Sequence, residues 1–254
     1  MINKYMLIWF MLFWPVLCHA ENLPFSNNER LTFRIRWSFI PAAEVTLEIA
    51  PQTEINNQPA RHFVLTAKTY EAIDLIYKFR ERIDSYADLG ISRSLLYKKV
   101  QSGKNDRDIE VIFDWRKGKA QYSNFGASNA PIDLLPGTLD PLSALYHLRM
   151  MNFNTDKPLE RPVTDGKKIV VGQAKIIRRE KIKLFGTTYD TYLLEPDMQE
   201  VKGVFEKSKD AKMFIWVTAD ARRMLVKLKS KVVVGSFVAE LIEHNYAPEG
   251  REKD

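Results

Sequence analysis

The chain has 254 residues, a hydrophobic content of 45%, a charged content of 28% and a formal net charge of +6. This composition is typical of a globular protein, and the length allows one large β domain or two small ones. Cys18 is the only cysteine, which excludes a disulfide framework within the chain and a metal site built from several thiolates. The mild basic charge suits contact with anionic surfaces but does not require it.

The first twenty residues have the parts of a secretory signal peptide. Lys4 gives a positive start, an apolar run extends from Tyr5 to Cys18, and Ala20 is a small residue at the expected cleavage point. The apolar run is shorter than the roughly 20 residues of a membrane span. We therefore predict a signal peptide over residues 1–20 and a periplasmic location, either free or peripheral to the outer membrane. An uncleaved anchor and lipoprotein processing are the alternatives.

After the signal, alternating apolar and polar residues predict antiparallel strands. The strongest period-two pattern covers Leu31–Phe39, and two further strands are expected, the second of them running through Ala67. Residues 71–77 fit either a helical turn or a bulged strand. The polar segment 102–106 predicts a hairpin turn between two later strands.

One helix is predicted over Asp140–Met151. Asp140 is a good N-cap, and Pro141 suits the first helical position because its missing N–H costs nothing there. The apolar residues Leu145 and Tyr146 belong to a stripe on one face of this helix. The polar stretch 154–168 is the best candidate for a subdomain joint.

Strands return after this joint and continue to Tyr246, and residues 248–254 are predicted to be a disordered tail. The expected fold is mainly β, or β-rich α+β. It consists of a strongly curved antiparallel sheet or a barrel-like β domain with one amphipathic helix packed on it. Residues 21–247 are expected to form a single domain, and no segment after the signal is long and apolar enough to span a bilayer.

No catalytic or metal-binding constellation stands out in the sequence. The mature chain keeps His62, His147 and His244, which lack metal-ligand spacing. Ser143 and His147 are four residues apart on the predicted helix, so their side chains could meet. No Gly-x-Ser-x-Gly turn surrounds Ser143, and a local capping role suits it better. We therefore expect no catalytic residue, no metal and no cofactor. A hydrolase is a distant third hypothesis, after the two non-enzymatic functions given below.

Aromatic residues on the predicted strands either line an apolar cavity or fill a core. The candidate ligand-lining residues are Trp37, Phe39, Phe63, Phe113, Phe214 and Trp216. Lys227 and Lys229 lie on the wet face of a later strand and are the candidate contacts for an anionic group. Nucleic acid is not an expected partner, because these basic strands lack interleaved aromatic residues.

Three segments resemble the bacterial exported family called DUF3108. Asp140–Arg149 resembles its DPLSALYxLR helix, Ile215–Arg223 resembles its IWVSxDxRR element, and Val232–Leu241 resembles its closing hairpin. The family-motif residues are Asp140, Pro141, Ser143, Tyr146, Arg149, Trp216, Asp220, Arg222, Arg223 and Gly235. The resemblance implies a periplasmic or outer-membrane-associated β protein and leaves the activity undefined.

The motif residues also have a structural interpretation. Asp140 and Pro141 begin the helix, and Arg149 near its end is expected to complement the helix dipole. Asp220 and the two arginines after it fit a tight hairpin turn. We therefore predict that these residues are structural.

Two functional hypotheses follow. The first is a non-enzymatic cell-envelope protein that binds or carries an apolar or amphiphilic ligand such as a lipid. The second is a structural or protein-interaction module of the envelope without a small-molecule ligand. An apolar cavity lined by the strand aromatics would favour the first, and a filled core would favour the second.

Overall fold

The computed structural model describes residues 23–155, 157–197, 212–232 and 235–246. The predicted signal peptide over residues 1–20, its cleavage point and the predicted tail over residues 248–254 lie outside the described residues. Within the described ranges, no helix has the length and apolarity needed to cross a membrane.

Fifteen antiparallel strands form one sheet in the described part of the chain. The strands are β1 (Arg30–Trp37), β2 (Ile40–Ile55), β3 (Gln58–Thr69), β4 (Phe79–Asp88), β5 (Ser94–Gly103), β6 (Arg107–Asp114), β7 (Lys119–Asn124), β8 (Ala127–Ser128), β9 (Ile132–Asp133), β10 (Leu159–Thr164), β11 (Ile169–Leu184), β12 (Thr187–Pro196), β13 (Lys212–Thr218), β14 (Leu225–Val232) and β15 (Gly235–His244). Their order is β10-β11-β12-β13-β14-β15-β1-β2-β3-β4-β5-β6-β7-β8, and β9 pairs with β7. The predicted mainly β fold is confirmed.

Strand β1 lies inside the sheet, between β15 and β2. The predicted alternation places Leu31 and Phe33 in the core, where they are buried. Arg34 and Arg36, on the other face of the strand, are only half-buried. The strand ends at Trp37, two residues earlier than the predicted Leu31–Phe39.

The sheet rolls up until its far strands approach each other. Leu139, just before α2, is hydrogen-bonded to β10. Its N–H donates to the Pro162 carbonyl at 3.0 Å, and its carbonyl accepts from the Thr164 N–H at 2.9 Å. The turn at Gly166 packs against the Val111 side chain. The stretch 154–168, predicted as a joint, therefore contains β10, which is hydrogen-bonded into the same sheet.

Helix α2 (Pro141–Met150) packs against the inner face of the rolled sheet. Tyr146 is fully buried, and its ring stacks on the Phe63 ring of β3 with the centroids 4.1 Å apart. Phe25 meets Tyr146 edge-on at 5.4 Å. The predicted helix is present, and the rings of Tyr146, Phe63 and Phe25 fill the interior where the helix meets the sheet.

A second helix, α1 (Glu71–Tyr77), joins β3 to β4. The sequence of residues 71–77 fits both a helical turn and a bulged strand, and the structure has a helix there. The described part of the chain therefore has two helices, whereas one was predicted. The Tyr70 N–H donates to the Ala42 carbonyl at 3.1 Å, which fixes the start of α1 beside the start of β2.

Candidate functional site

Asp140 and Ser143 lie in a fully buried hydroxyl network. Asp140 Oδ1 accepts from the backbone N–H groups of Leu142 at 2.9 Å and Ser143 at 3.0 Å, so it is the N-cap of α2. Its Oδ2 accepts from the hydroxyls of Ser85 at 2.8 Å and Ser94 at 2.5 Å. These groups have no exposed surface, so the network supports the helix start rather than meeting a substrate.

His147 does not complete a nucleophile–base pair with Ser143 in this arrangement. Its Nδ1 is 2.9 Å from the Ile91 carbonyl oxygen, while the Ser143 hydroxyl bonds Ser85 at 2.7 Å. Burial lowers the pKa of His147, which favours the neutral ring.

Arg149 forms a buried ion pair instead of a simple interaction with the helix dipole. Its guanidinium binds both carboxylate oxygens of Glu29, at 2.5 and 2.8 Å. It also donates to the carbonyls of Arg223 at 2.8 Å and Arg222 at 3.0 Å. The Tyr246 hydroxyl also donates to Oε2 of Glu29. Arg149 thus joins α2, the segment before β1 and the β13–β14 turn.

Asp220 organises the β13–β14 turn, as its spacing to the arginines predicts. Its carboxylate accepts from the Thr218 hydroxyl at 2.7 Å and the Arg222 N–H at 3.1 Å. Burial alone would raise the pKa of Asp220, but these hydrogen bonds and the Arg222 guanidinium outweigh it and lower the pKa. Arg223 has a φ of 44° and its side chain bonds the Met151 carbonyl.

The six candidate ligand-lining aromatics do not line one cavity. Phe63 and Phe113 are buried in the core, and Phe63 lies against Tyr146 of α2. Phe214 and Trp216 alternate along β13 with the core residue Ile215, so they point to the other face of the strand, although Trp216 still packs against the core cluster. The remaining two, Trp37 and Phe39, are exposed at the turn between β1 and β2.

The two candidate anion-binding lysines differ in their surroundings. Lys227 pairs with the buried Glu240 at 3.0 Å and lies 5.5 Å from the Trp216 ring centre. Arg36 binds the same carboxylate at 2.7 Å. Lys227 is therefore already engaged within the protein, whereas Lys229 is exposed.

A polar groove crosses the face of β1–β4 that points away from α2. It has a volume of about 310 Å³ and contains His62, Arg82 and Glu48 in its lining. His62 Nε2 lies 2.8 Å from Asp84 Oδ1, and Arg82 Nε donates to the other carboxylate oxygen of Asp84 at 2.7 Å. No group of three or more metal-ligating side chains occurs among the residues that the structure describes.

One end of the sheet exposes a concentration of large apolar side chains, which we call the apolar end. It comprises the β1–β2 turn and helix α1, with the residues Trp37, Phe39, Ile40, Leu75, Ile76 and Tyr77. Phe39, Leu75 and Ile76 are 82%, 90% and 87% exposed. Fully burying one such side chain is worth about 1.5–3 kcal/mol, so this exposure is unfavourable in water.

Polar contacts hold α1 in place with its apolar residues outward. Arg80 Nη1 donates to Asp74 Oδ1 at 2.9 Å, and the Thr69 hydroxyl also bonds Asp74. These two hydrogen bonds lower the pKa of Asp74 to about 2. A Cβ on Gly103 of β5 would overlap the Lys78 carbonyl, so that strand abuts the end of α1.

Basic side chains flank the apolar end. Lys78 follows Tyr77 directly and is exposed. Lys104, in the β5–β6 turn, places its ammonium 5.5 Å from the centre of the Tyr77 ring. The apolar end therefore combines aromatic rings, aliphatic tips and cations.

Sequence reasoning singled out Trp37 and Phe39 but missed Leu75, Ile76 and Tyr77. The signal was present, because three consecutive apolar residues before Lys78 cannot all lie on one buried face of a helix or strand. Glu29 was also missed, and nothing in its local sequence marks it as the partner of Arg149.

A solved β-barrel-like structure supports the architecture. A β-barrel-like protein of the domain of unknown function DUF1849 from Brucella abortus has a TM-score of 0.53 at 8% identity, covering 86% of this chain and 97% of that one. A protein from Bacteroides fragilis with a YmcC-like fold has a TM-score of 0.35 at 8% identity, covering 88% of this chain and 98% of that one.

No protein of curated function matches the chain. The family described as "protein of unknown function (DUF3108)" matches residues 32–242, which include α2, the Asp220 turn and most of β15. The resemblance seen in the sequence motifs is therefore confirmed over most of the chain, and the protein belongs to the DUF3108 family.

Proposed function

We propose that this protein is a non-enzymatic, exported module of the cell envelope that works by docking through its apolar end. The observation that carries the proposal is the outward placement of Phe39, Leu75 and Ile76, each more than 80% exposed on elements held by backbone and ion-pair contacts. Large apolar side chains that are exposed together at one end of a fold mark interaction sites. Export is inferred from the N-terminal sequence pattern.

The packed interior favours docking over the carriage of an internal ligand. Tyr146 and Phe63 stack face to face between α2 and the sheet, where a bound acyl chain would need space. The aromatic residues expected to line a cavity are instead divided among the core, the opposite face and the apolar end. The buried hydroxyls around Asp140 have no exposed surface, which favours a structural role for them over catalysis.

Site-specific photocrosslinking in intact cells tests this function. The crosslinker p-benzoylphenylalanine replaces Phe39 in one variant and Leu89, which is exposed just after the far end of β4, in a matched control. We expect adducts from position 39 and none from position 89. An absence of adducts from position 39, together with saturable binding of a fluorescent fatty acid by the purified protein, would overturn the docking proposal in favour of a carrier.

A further inference from the structure

We infer that the partner of the apolar end is the surface of an anionic phospholipid bilayer. This inference rests on the proposed docking function and names what the surface binds. It follows from the shape of the apolar end, from the kinds of side chain there and from the charge around it.

The apolar side chains project from the end of the sheet instead of forming a flat patch. In a flat patch each side chain is partly covered by its neighbours, but Phe39, Leu75 and Ile76 each have more than 80% of their surface exposed to solvent. They belong to a turn and a seven-residue helix at adjoining positions of the sheet. A protein partner must offer a complementary pocket for each projecting tip, whereas the acyl region of a bilayer accepts such tips without a matched shape.

The kinds of side chain at this end also match those of a membrane interface. Trp37 and Tyr77 are about half as exposed as the projecting tips, at 44% and 41%. Tryptophan and tyrosine favour the headgroup level of a bilayer, because their rings are apolar and carry one polar group. The aliphatic tips would then lie deeper than the two aromatic rings.

The charge at this end complements an anionic headgroup layer. Lys78 follows Tyr77 in the chain and is exposed, and the Lys104 ammonium lies over the Tyr77 ring. Helix α1 carries two acidic residues: Asp74 is turned to Arg80 and does not offer a free carboxylate, whereas Glu71 is exposed at the start of the helix, at the opposite end from Lys78. Lysine stems can lie along apolar surface while their ammonium groups reach lipid phosphates.

Vesicle flotation with the protein purified from its own cells tests the inference. The vesicles contain phosphatidylethanolamine and phosphatidylglycerol in one series and phosphatidylcholine alone in the other. We expect partition into the anionic vesicles, weaker partition into the neutral ones, and loss of the difference in 0.5 M salt at roughly 4 Å screening length.

Two sets of variants locate the contact. Combined Phe39→Ser, Leu75→Ser and Ile76→Ser is expected to lower partition at least tenfold, whereas Leu89→Ser with Leu135→Ser at the other end leaves it unchanged. Lys78→Gln with Lys104→Gln is expected to weaken binding to anionic vesicles several-fold, and Lys117→Gln is the matched control. Since the substituted side chains are exposed, circular dichroism and thermal unfolding should match the wild type.

The outcomes separate this inference from the proposed function. Equal flotation of the wild type and the serine triple variant would overturn the bilayer inference, because an element other than the apolar end would then bind lipid. A wild type that does not float, but crosslinks through position 39 to a protein or to a second copy of itself, would overturn the inference and leave docking intact. Failure of both flotation and crosslinking would overturn both.

Discussion

At the scale of single residues, the Glu29–Arg149 pair links three parts of the chain that are distant in sequence. Both side chains are almost fully buried, at 0% and 3% exposure. A buried charge that loses its partner is costly, because it keeps its desolvation penalty without the compensating attraction. The pair therefore makes the α2–β1–turn junction sensitive to single substitutions.

We expect Arg149→Met to destabilise the protein by about 3–5 kcal/mol, since it leaves the Glu29 carboxylate buried without its cation. Replacing both residues by methionine should recover much of this loss. Urea unfolding measures both effects, with Arg30→Met as an exposed control. An unchanged unfolding midpoint for Arg149→Met would show that Glu29 is stabilised by other groups.

The ionised Asp74 carboxylate makes the attachment of α1 to the sheet dependent on pH. Its pKa of about 2 in the folded protein lies below the roughly 3.9 expected of an unfolded aspartate. A lowered folded pKa gives stability that is present above pH about 4 and is lost as the pH falls towards 2. The hydrogen bonds from Arg80 and Thr69 therefore hold α1 at neutral pH.

We expect the stability difference between the wild type and Asp74→Asn to shrink as the pH is lowered from about 4 to 2. Unfolding curves at each pH measure this difference, and a carbon-13 titration of the Asp74 carboxyl gives its pKa directly. Asp133→Asn, at an exposed carboxylate, is the control. A carboxyl that titrates near pH 4 would show that the Arg80 contact does not hold in solution.

At the scale of elements, α2 depends on a cap with more partners than an ordinary N-cap. Asp140 accepts from two backbone N–H groups, as expected from the sequence, and also from the hydroxyls of Ser85 and Ser94 on β4 and β5. The same carboxylate therefore starts the helix and attaches it to the sheet.

We expect Asp140→Ala to cost more than the roughly 0.5–2 kcal/mol of a lost N-cap, because buried hydroxyls would also lose their acceptor. Asp140→Asn keeps an acceptor oxygen and should cost less. Thermal and urea unfolding of the two variants test the order. If both variants cost the same and stay within the N-cap range, the serine contacts contribute nothing to stability.

At the scale of the whole molecule, the rolled sheet is closed on the inside by Tyr146. Its ring fills the space between Phe63 and Phe25, and its hydroxyl has no hydrogen-bond partner among the described residues. The ring rather than the hydroxyl should therefore carry the contribution of Tyr146 to stability.

We expect Tyr146→Ala to destabilise the protein by about 3–5 kcal/mol and to open an apolar cavity that binds benzene or xenon. Tyr146→Phe should be nearly neutral and bind neither. Unfolding curves and xenon-induced NMR shifts measure the two properties. Saturable xenon binding near Phe63 in the wild type would contradict the filled interior and revive the carrier hypothesis.

Much of the fold and part of the candidate site followed from short-range features. Period-two alternation in segments such as Leu31–Phe39 is a property of the extended backbone, so the mainly β class could be predicted from residues close in sequence. The Asp140-Pro141 start of α2 is likewise local. The sequence also makes Trp37 and Phe39 candidates for lining a ligand site, because the large apolar residues of a predicted strand must be buried against something.

The family, the β class and the start of α2 can all be predicted from the sequence alone. The burial of Phe63 in a packed core and the projection of Phe39 into solvent cannot, because burial depends on which distant strands cover a residue. The same holds for Glu29 and Arg149, which are 120 residues apart and meet only when the sheet rolls up. Local patterns specify the backbone, whereas the exposure that makes a surface functional arises from long-range packing.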